Sequence, residues 1–149
     1  MDDKDKTPLF VVDADPRVLW PVTLRLPVDG GQFADHRFHA VFRVLPESRY
    51  VELLDKVVEL DDASTEAMLA ENARRFPAFV ADWTDELKDG AGNVIAFSEA
   101  KLQELVTGPY GGPLSRGLWH AITEVRYKAR LGNSVPPPAV GADPAASGS

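Results

Sequence analysis

Between Trp20 and Val28 the chain alternates, with Trp20, Val22, Leu24, Leu26 and Val28 on one face of a strand and Thr23 and Arg25 on the other. The alternation resumes at Phe38, Ala40, Phe42 and Val44, with His39, Val41 and Arg43 opposite. Asp29, Gly30 and Gly31 stand between the two runs and supply the left-handed backbone that a tight turn needs. The pattern predicts an antiparallel hairpin over 20–45. Pro21 and Pro27 have no N–H to give a ladder on their own side, which places the first strand at a sheet edge or limits its pairing.

From Pro46 onward the period lengthens to that of a helix. Proline's fixed φ suits a first helical turn, and Tyr50, Val51, Leu54, Val57 and Val58 follow on one stripe. Asp61 and Asp62 break it. Ser64 or Thr65 can cap a second helix carrying Leu69, Asn72, Ala73 and Phe76, which Pro77 kinks or ends. A short continuation of that helix through Phe79 and Val80 leads to Trp83. An acidic, glycine-rich loop over 85–93 follows, and Trp83 and Phe97 are expected to close over its base. Ser98 caps a third helix to about Thr107, with Glu99 at the positive end of its dipole and Leu102, Leu105 and Val106 on one face. A sharp turn over 108–113 precedes a last helix over about 114–131, striped with Leu114, Leu118, Ala121, Ile122, Val125 and Ala129. Arg126, Lys128 and Arg130 suit its negative end.

The ends differ from this middle. Leu9, Phe10, Val11 and Val12 form a short apolar run that reads as a brief strand or a tether. The Pro-, Ala-, Gly- and Ser-rich stretch 134–149 buries too little apolar surface to offset its ordering entropy and is expected to be disordered. The fold class expected is α+β, an N-terminal antiparallel β-hairpin followed by a bundle of about four α-helices and a disordered C-terminal tail. The domain plan is an extension over 1–19, one domain over 20–133 (hairpin 20–45, helical part 46–133) and a tail over 134–149.

Composition narrows the function. A chain of 149 residues suits one domain with a modest core. Its net charge of -7 opposes a phosphate backbone, so nucleic acid is not an expected partner. There is no cysteine, hence no disulfide and no thiolate zinc site. The charged N-terminus lacks the apolar run of a secretory signal, and no stretch approaches the roughly 20 apolar residues of a membrane span. A soluble intracellular protein without a membrane role is expected.

Candidate chemistry is sparse. Asp35, His36 and His39 could ligate a metal, but histidines three apart on a strand point to opposite faces, so ordinary strand histidines are expected. His120, beside Trp119, has no companion nearby in sequence and reads as a surface or boundary residue. Asp85, Glu86 and Asp89 lack the alternating ligands and closing glutamate of a helix-loop-helix calcium site and read as a solvated acidic loop. No Ser or Thr stands in a nucleophile arrangement. The glycines at 108, 111 and 112 have no following Lys-Ser/Thr and read as a helix-helix turn, not a phosphate cradle. No catalytic residue, metal ligand or cofactor is assigned, and no enzyme is expected. Trp20 and Trp83 read as core. Trp119, beside the Leu118 and Ile122 stripe, reads as an exposed contact, and with Tyr127, Trp83 and Phe97 it forms the candidate partner-binding set.

The order of weak motifs then carries a resemblance. Trp83, Asp85, Glu86, Asp89, Gly90, Gly92, Asn93, Phe97, Ser98, Glu99, Leu102, Leu105, Pro109 and Tyr110 follow one another as in the tail assembly chaperones of long-tailed bacteriophages. The likeness extends upstream to the Trp20 strand with Gly30 and Gly31, and to Phe38, His39, Ala40, Val41, Phe42 and Arg43, covering most of 20–133. Pro77 and the length of the 85–93 loop depart from the family pattern. The resemblance implies a chaperone that coats and solubilises the tape measure protein, helps recruit major tail tube protein, and stays in the host cytoplasm, absent from the mature virion. It also implies a longer, frameshifted form of the same chain as a partner, this one being the short form. A second copy pairing along the strand edge would make a homo-oligomer. The alternatives are a structural tail completion or head-tail joining protein, and a small metal-dependent enzyme built on the histidine strand and acidic loop.

Overall fold

The computed structural model describes residues 12–54 and 65–134. It is an α+β fold in which a three-stranded antiparallel sheet is packed by four helices. The sheet begins with β1 (Arg17–Val28) and β2 (Gln32–Arg43), paired from Arg17↔Arg43 to Val28↔Gln32. Gly30 and Gly31 turn the chain with φ of 91° and 78°, as the Asp-Gly-Gly sequence predicts. The strand begins at Arg17, not Trp20, so part of the expected extension belongs to the sheet. Val18 had signalled this, because it continues the phase of Trp20 and Val22 and packs on the core. The Leu9 to Val11 part of the apolar run lies outside the described residues.

After the hairpin, α1 (Glu47–Leu54) starts at Pro46, whose carbonyl accepts from Arg49 and Tyr50 N–H groups. Val57, Val58 and the Asp61-Asp62 break lie outside the described residues. α2 (Thr65–Arg75) ends in a single 3-10 turn, Phe76–Ala78, built around Pro77. Here the structure corrects the sequence reading. Residues Val80–Trp83 are not a helical continuation but a strand, β3, completing the sheet in the order β1-β2-β3. Val80 and Trp83 are three apart, a helical spacing, and both are buried because a bulge opposite Val41 and Phe42 inserts one residue between them.

α3 (Glu99–Val106) is capped by Ser98, whose Oγ accepts from Lys101 N–H at 3.0 Å. α4 (Gly111–Ser134) begins three residues earlier than expected, running through Gly111 and Gly112, while Gly108 stays in the turn as read. Tyr110 carbonyl accepts from Leu114 N–H, and Gly111 is buried against the end of α3, where a Cβ would fall 2.0 Å from the Val106 carbonyl oxygen. Ser134 is the last helical residue, so the expected tail loses its first member; 135–149 lie outside the described residues.

One core joins the layers. Val22, Phe38, Ala40 and Phe42 on the sheet meet Ala73 and Phe76, Phe79 and Val80, Leu102 and Val106, and the predicted α4 stripe from Leu114 to Val125. Burying such side chains contributes about 1.5–3 kcal/mol each. The edge position of β1 follows its prolines, and α4 runs along it: Trp20 Nε1 donates to Glu124 Oε1 at 2.9 Å. Arg126 does not serve the helix end as expected. Its guanidinium forks onto both oxygens of Glu47 and lies 5.5 Å over the Tyr50 ring, tying α1 to α4. No described helix is long and apolar enough to cross a membrane.

Candidate functional site

β3 delivers the chain to a loop that is held at three points. Trp83 Nε1 donates to the Ile95 carbonyl at 2.7 Å, and the Phe97 ring meets the Trp83 ring edge-on at 4.8 Å, so the expected closure over the loop base is present. Within the loop, Asp89 N–H donates to Asn93 O and Ile95 N–H to Leu87 O, forming a miniature hairpin in which Gly92 takes a φ of 85°. Asp89 Oδ1 accepts from Ala91 and Asn93 N–H at 2.9 and 3.0 Å. These amides, Asn93 first, hold its carboxyl below the ordinary carboxylate range.

Glu86 makes the third attachment. The ladder between β2 and β3 runs out at Thr84, whose N–H donates to His39 O. The carboxylate of Glu86 then takes the next place, accepting from His39 N–H at 2.7 Å, from the Thr84 hydroxyl, and facing His39 Nδ1 at 3.1 Å. The Thr84 hydroxyl, then the His39 amide and ring, lower its pKa from 4.5. The loop is solvent-exposed, as expected of a solvated acidic loop, and it is also held in place: Asp89 accepts amides within it and Glu86 ties it to the sheet.

The histidines take separate places, as the strand period predicts. His36 stands opposite Leu24 and His39 opposite Pro21, on different faces of β2. His120 is exposed and faces Glu124 at 3.5 Å. Among the described residues no three His, Cys, Asp or Glu side chains are gathered for a metal ion.

What the loop creates is a groove. The far half of the hairpin, the loop and the α3–α4 junction enclose an open cleft of about 540 Å³, walled by Leu24, Leu26, Phe38, Leu87, Ile95, Leu105 and Leu114 and rimmed by His36, Glu86, Lys88 and Asp89. Past Tyr110 it continues between Phe33, Pro27, Pro109 and Pro113, with Arg25 and Arg116 at its margins. Tyr110 lines both parts and is 57% exposed. The arrangement offers apolar walls with a polar rim.

The four predicted contact residues separate. Trp83 is core at 8% exposure and Phe97 is half-buried against it, so both build the groove's support. Trp119 corrects its reading: it packs on Phe76 at 4.8 Å and Phe79 at 5.8 Å, and its Nε1 donates to Asn72 Oδ1 at 3.1 Å. A residue beside the main stripe is half-buried because the 3-10 turn brings Phe76 and Phe79 up to meet it. Only Tyr127 stands exposed, at 50%, on α4. Sequence reasoning passed over Tyr110 as a contact; its signal was an aromatic placed in a Pro- and Gly-rich helix junction.

No protein-family model, curated protein or solved structure gives a significant match to the chain.

The Glu86 attachment has a measurable pH signature. Its folded pKa is depressed, so its contribution to stability is present above the unfolded value and lost as pH falls through the folded one. Urea midpoints taken from neutral pH down through the acid range below 4.5 should fall for the wild type and fall less steeply for Glu86→Gln, which cannot titrate. Identical acid slopes would show that Glu86 does not hold the loop.

Proposed function

We propose that this protein is a phage tail assembly chaperone, acting in the host cytoplasm without catalysis and absent from the finished virion. It binds apolar segments of the tape measure protein, keeps that long chain soluble, and releases it as tail tube subunits are recruited. The observation that carries the reading is the groove beneath the hairpin, with apolar walls, a polar rim and exposed Tyr110 at its centre. The order of motifs from Trp83 to Tyr110 supports the same assignment, and much of that motif run builds the loop and junction around the groove. A net charge of -7 suits a chaperone that must remain soluble while presenting an apolar surface.

Co-expression with the tape measure protein encoded beside it tests the proposal. The tape measure protein should become soluble and co-purify. Tyr110→Asp should melt like the wild type, because Tyr110 is largely exposed, yet retain roughly a tenth or less of the capture, the loss expected when an interface anchor is replaced by a charge. Mass spectrometry of purified virions separates a chaperone from a structural tail completion or head-tail joining subunit. Its presence there in stoichiometric amount would overturn the chaperone reading.

A further inference from the structure

The two long strands have outward edges that the fold treats differently. Val44 N–H donates to the Pro16 carbonyl at 2.9 Å, and in an unbroken antiparallel register this directs the even-numbered backbone groups of β1 and β2 toward each other and the odd-numbered ones away. On β1 the outward positions are blunted. Pro21 and Pro27 have no N–H, and Gly117 of α4 sits so close to the Thr23 carbonyl that a Cβ there would fall 2.5 Å from its oxygen.

On β2 the outward groups are used only as far as β3 and Glu86 extend. Arg43 N–H donates to Phe79 O at 2.8 Å, His39 O accepts from Thr84 N–H at 3.1 Å, and His39 N–H meets Glu86 at 2.7 Å. The next outward positions, Arg37 and Asp35, are exposed, and among the described residues no backbone hydrogen bond reaches them from β3 or the loop. This stretch holds no proline and no bulge, and Arg37 borders the groove.

Charge points the same way. Of the groove's charged side chains, Glu86 and Asp89 are committed to N–H and O–H donors. Arg37, Lys88 and Arg116 make no ion pair among the described residues, and neither do Arg43 and Lys128 away from the groove, whereas Arg17, Arg25, Arg49, Arg74, Arg75, Lys101 and Arg126 all do. Three cations without an ion pair thus stand around the apolar groove.

We propose that the groove takes an extended segment of a partner protein with alternating apolar and acidic side chains, added as a strand to β2 beyond the end of β3. The inference rests on the groove being the docking site and specifies how it is filled. Main-chain bonds go to the Asp35 and Arg37 backbone groups; the segment's apolar side chains enter beside Phe38, Leu24 and Leu87, and on the opposite face a carboxylate meets Arg37, next to an Asp35 already paired with Arg25 at 3.7 Å, with Lys88 and Arg116 at the rim. A free peptide edge selects a polypeptide over nucleic acid, which has no matching ladder.

The test uses the full chain and a short end-blocked peptide alternating Val and Glu, with a Val and Lys counterpart, a short DNA duplex as a rival anion, and amide exchange read residue by residue. The Val/Glu peptide should bind, slow exchange at the Asp35 and Arg37 amides, and outbind the Val/Lys peptide by about tenfold at low salt. Arg37→Glu, an exposed substitution, should reverse that preference. Failure of the Val/Glu peptide to bind, equal binding of the Val/Lys peptide, or preference for the duplex overturns the proposal. Binding that leaves the Asp35 and Arg37 amides exchanging freely also overturns it, while the groove reading stands. Undiminished tape measure capture by Tyr110→Asp would instead remove the groove itself.

Discussion

Trp83→Ala is expected to lose about 3–5 kcal/mol of folding stability, the range for removing a large buried aromatic. Against the ~5–15 kcal/mol typical of a domain, this would leave a substantial unfolded population. The reason is local. Trp83 ends the short β3, its ring supports Phe97, and its N–H is the donor to the Ile95 carbonyl, so truncation opens a cavity and strands that acceptor. Trp83→Phe keeps most of the packing and loses the N–H, and should cost roughly 1–3 kcal/mol. Urea unfolding followed by circular dichroism measures both, and amide exchange at Asn93 and Ile95 should quicken in the Phe variant before the core does. A midpoint unmoved by Trp83→Ala would place the residue outside the core. Because Leu87 and Ile95 wall the groove, any loosening of this joint should also reach partner capture.

The elements that were legible in the sequence are those whose side-chain period matches their backbone. β1 and β2 alternate cleanly over a long register, Ser98 caps α3 through its own oxygen, and the α4 stripe from Leu114 to Val125 is buried as its spacing predicts. β3 was hidden because its bulge imposes a three-residue spacing on Val80 and Trp83, the signature of a helix. The first residues of α4 were hidden by two glycines and a proline, which the helix tolerates because Gly111 must lie against the Val106 carbonyl and Pro113 stands in the first turn. The site was only half legible. Trp83 and Phe97 could be paired across their loop from sequence, but the groove is made by Leu24, Phe38, Leu87 and Tyr110, residues that only the tertiary fold brings together. Trp119 was misjudged for the same reason, since nothing in the local period reveals Phe76 and Phe79 arriving from another element.

Gly117→Ala should destabilise the protein although it replaces glycine by the best helix former in the interior of α4. Intrinsic propensity favours alanine there by about 1 kcal/mol. The fold overrides it, because the new Cβ would stand 2.5 Å from the Thr23 carbonyl oxygen and 3.1 Å from Val22 Cγ1. Neither neighbour can yield cheaply: one is backbone of the edge strand, the other a fully buried side chain. Helix and strand must part, with a net cost of roughly 1–3 kcal/mol. Gly112→Ala is the internal control, since its Cβ would meet nothing nearer than the Arg116 guanidinium at 3.7 Å; it should be neutral or slightly stabilising. Equal urea midpoints for the two variants would show that α4 does not press on β1. The contact also bears on association. Gly117 is what lets α4 lie over the Thr23 carbonyl and close an edge already short of donors at Pro21 and Pro27, leaving the Asp35 and Arg37 stretch of β2 as the open ladder among the described residues. A Gly117→Ala protein that remains folded should therefore expose a second edge and self-associate at concentrations where the wild type does not, which sedimentation velocity would register as a concentration-dependent shift.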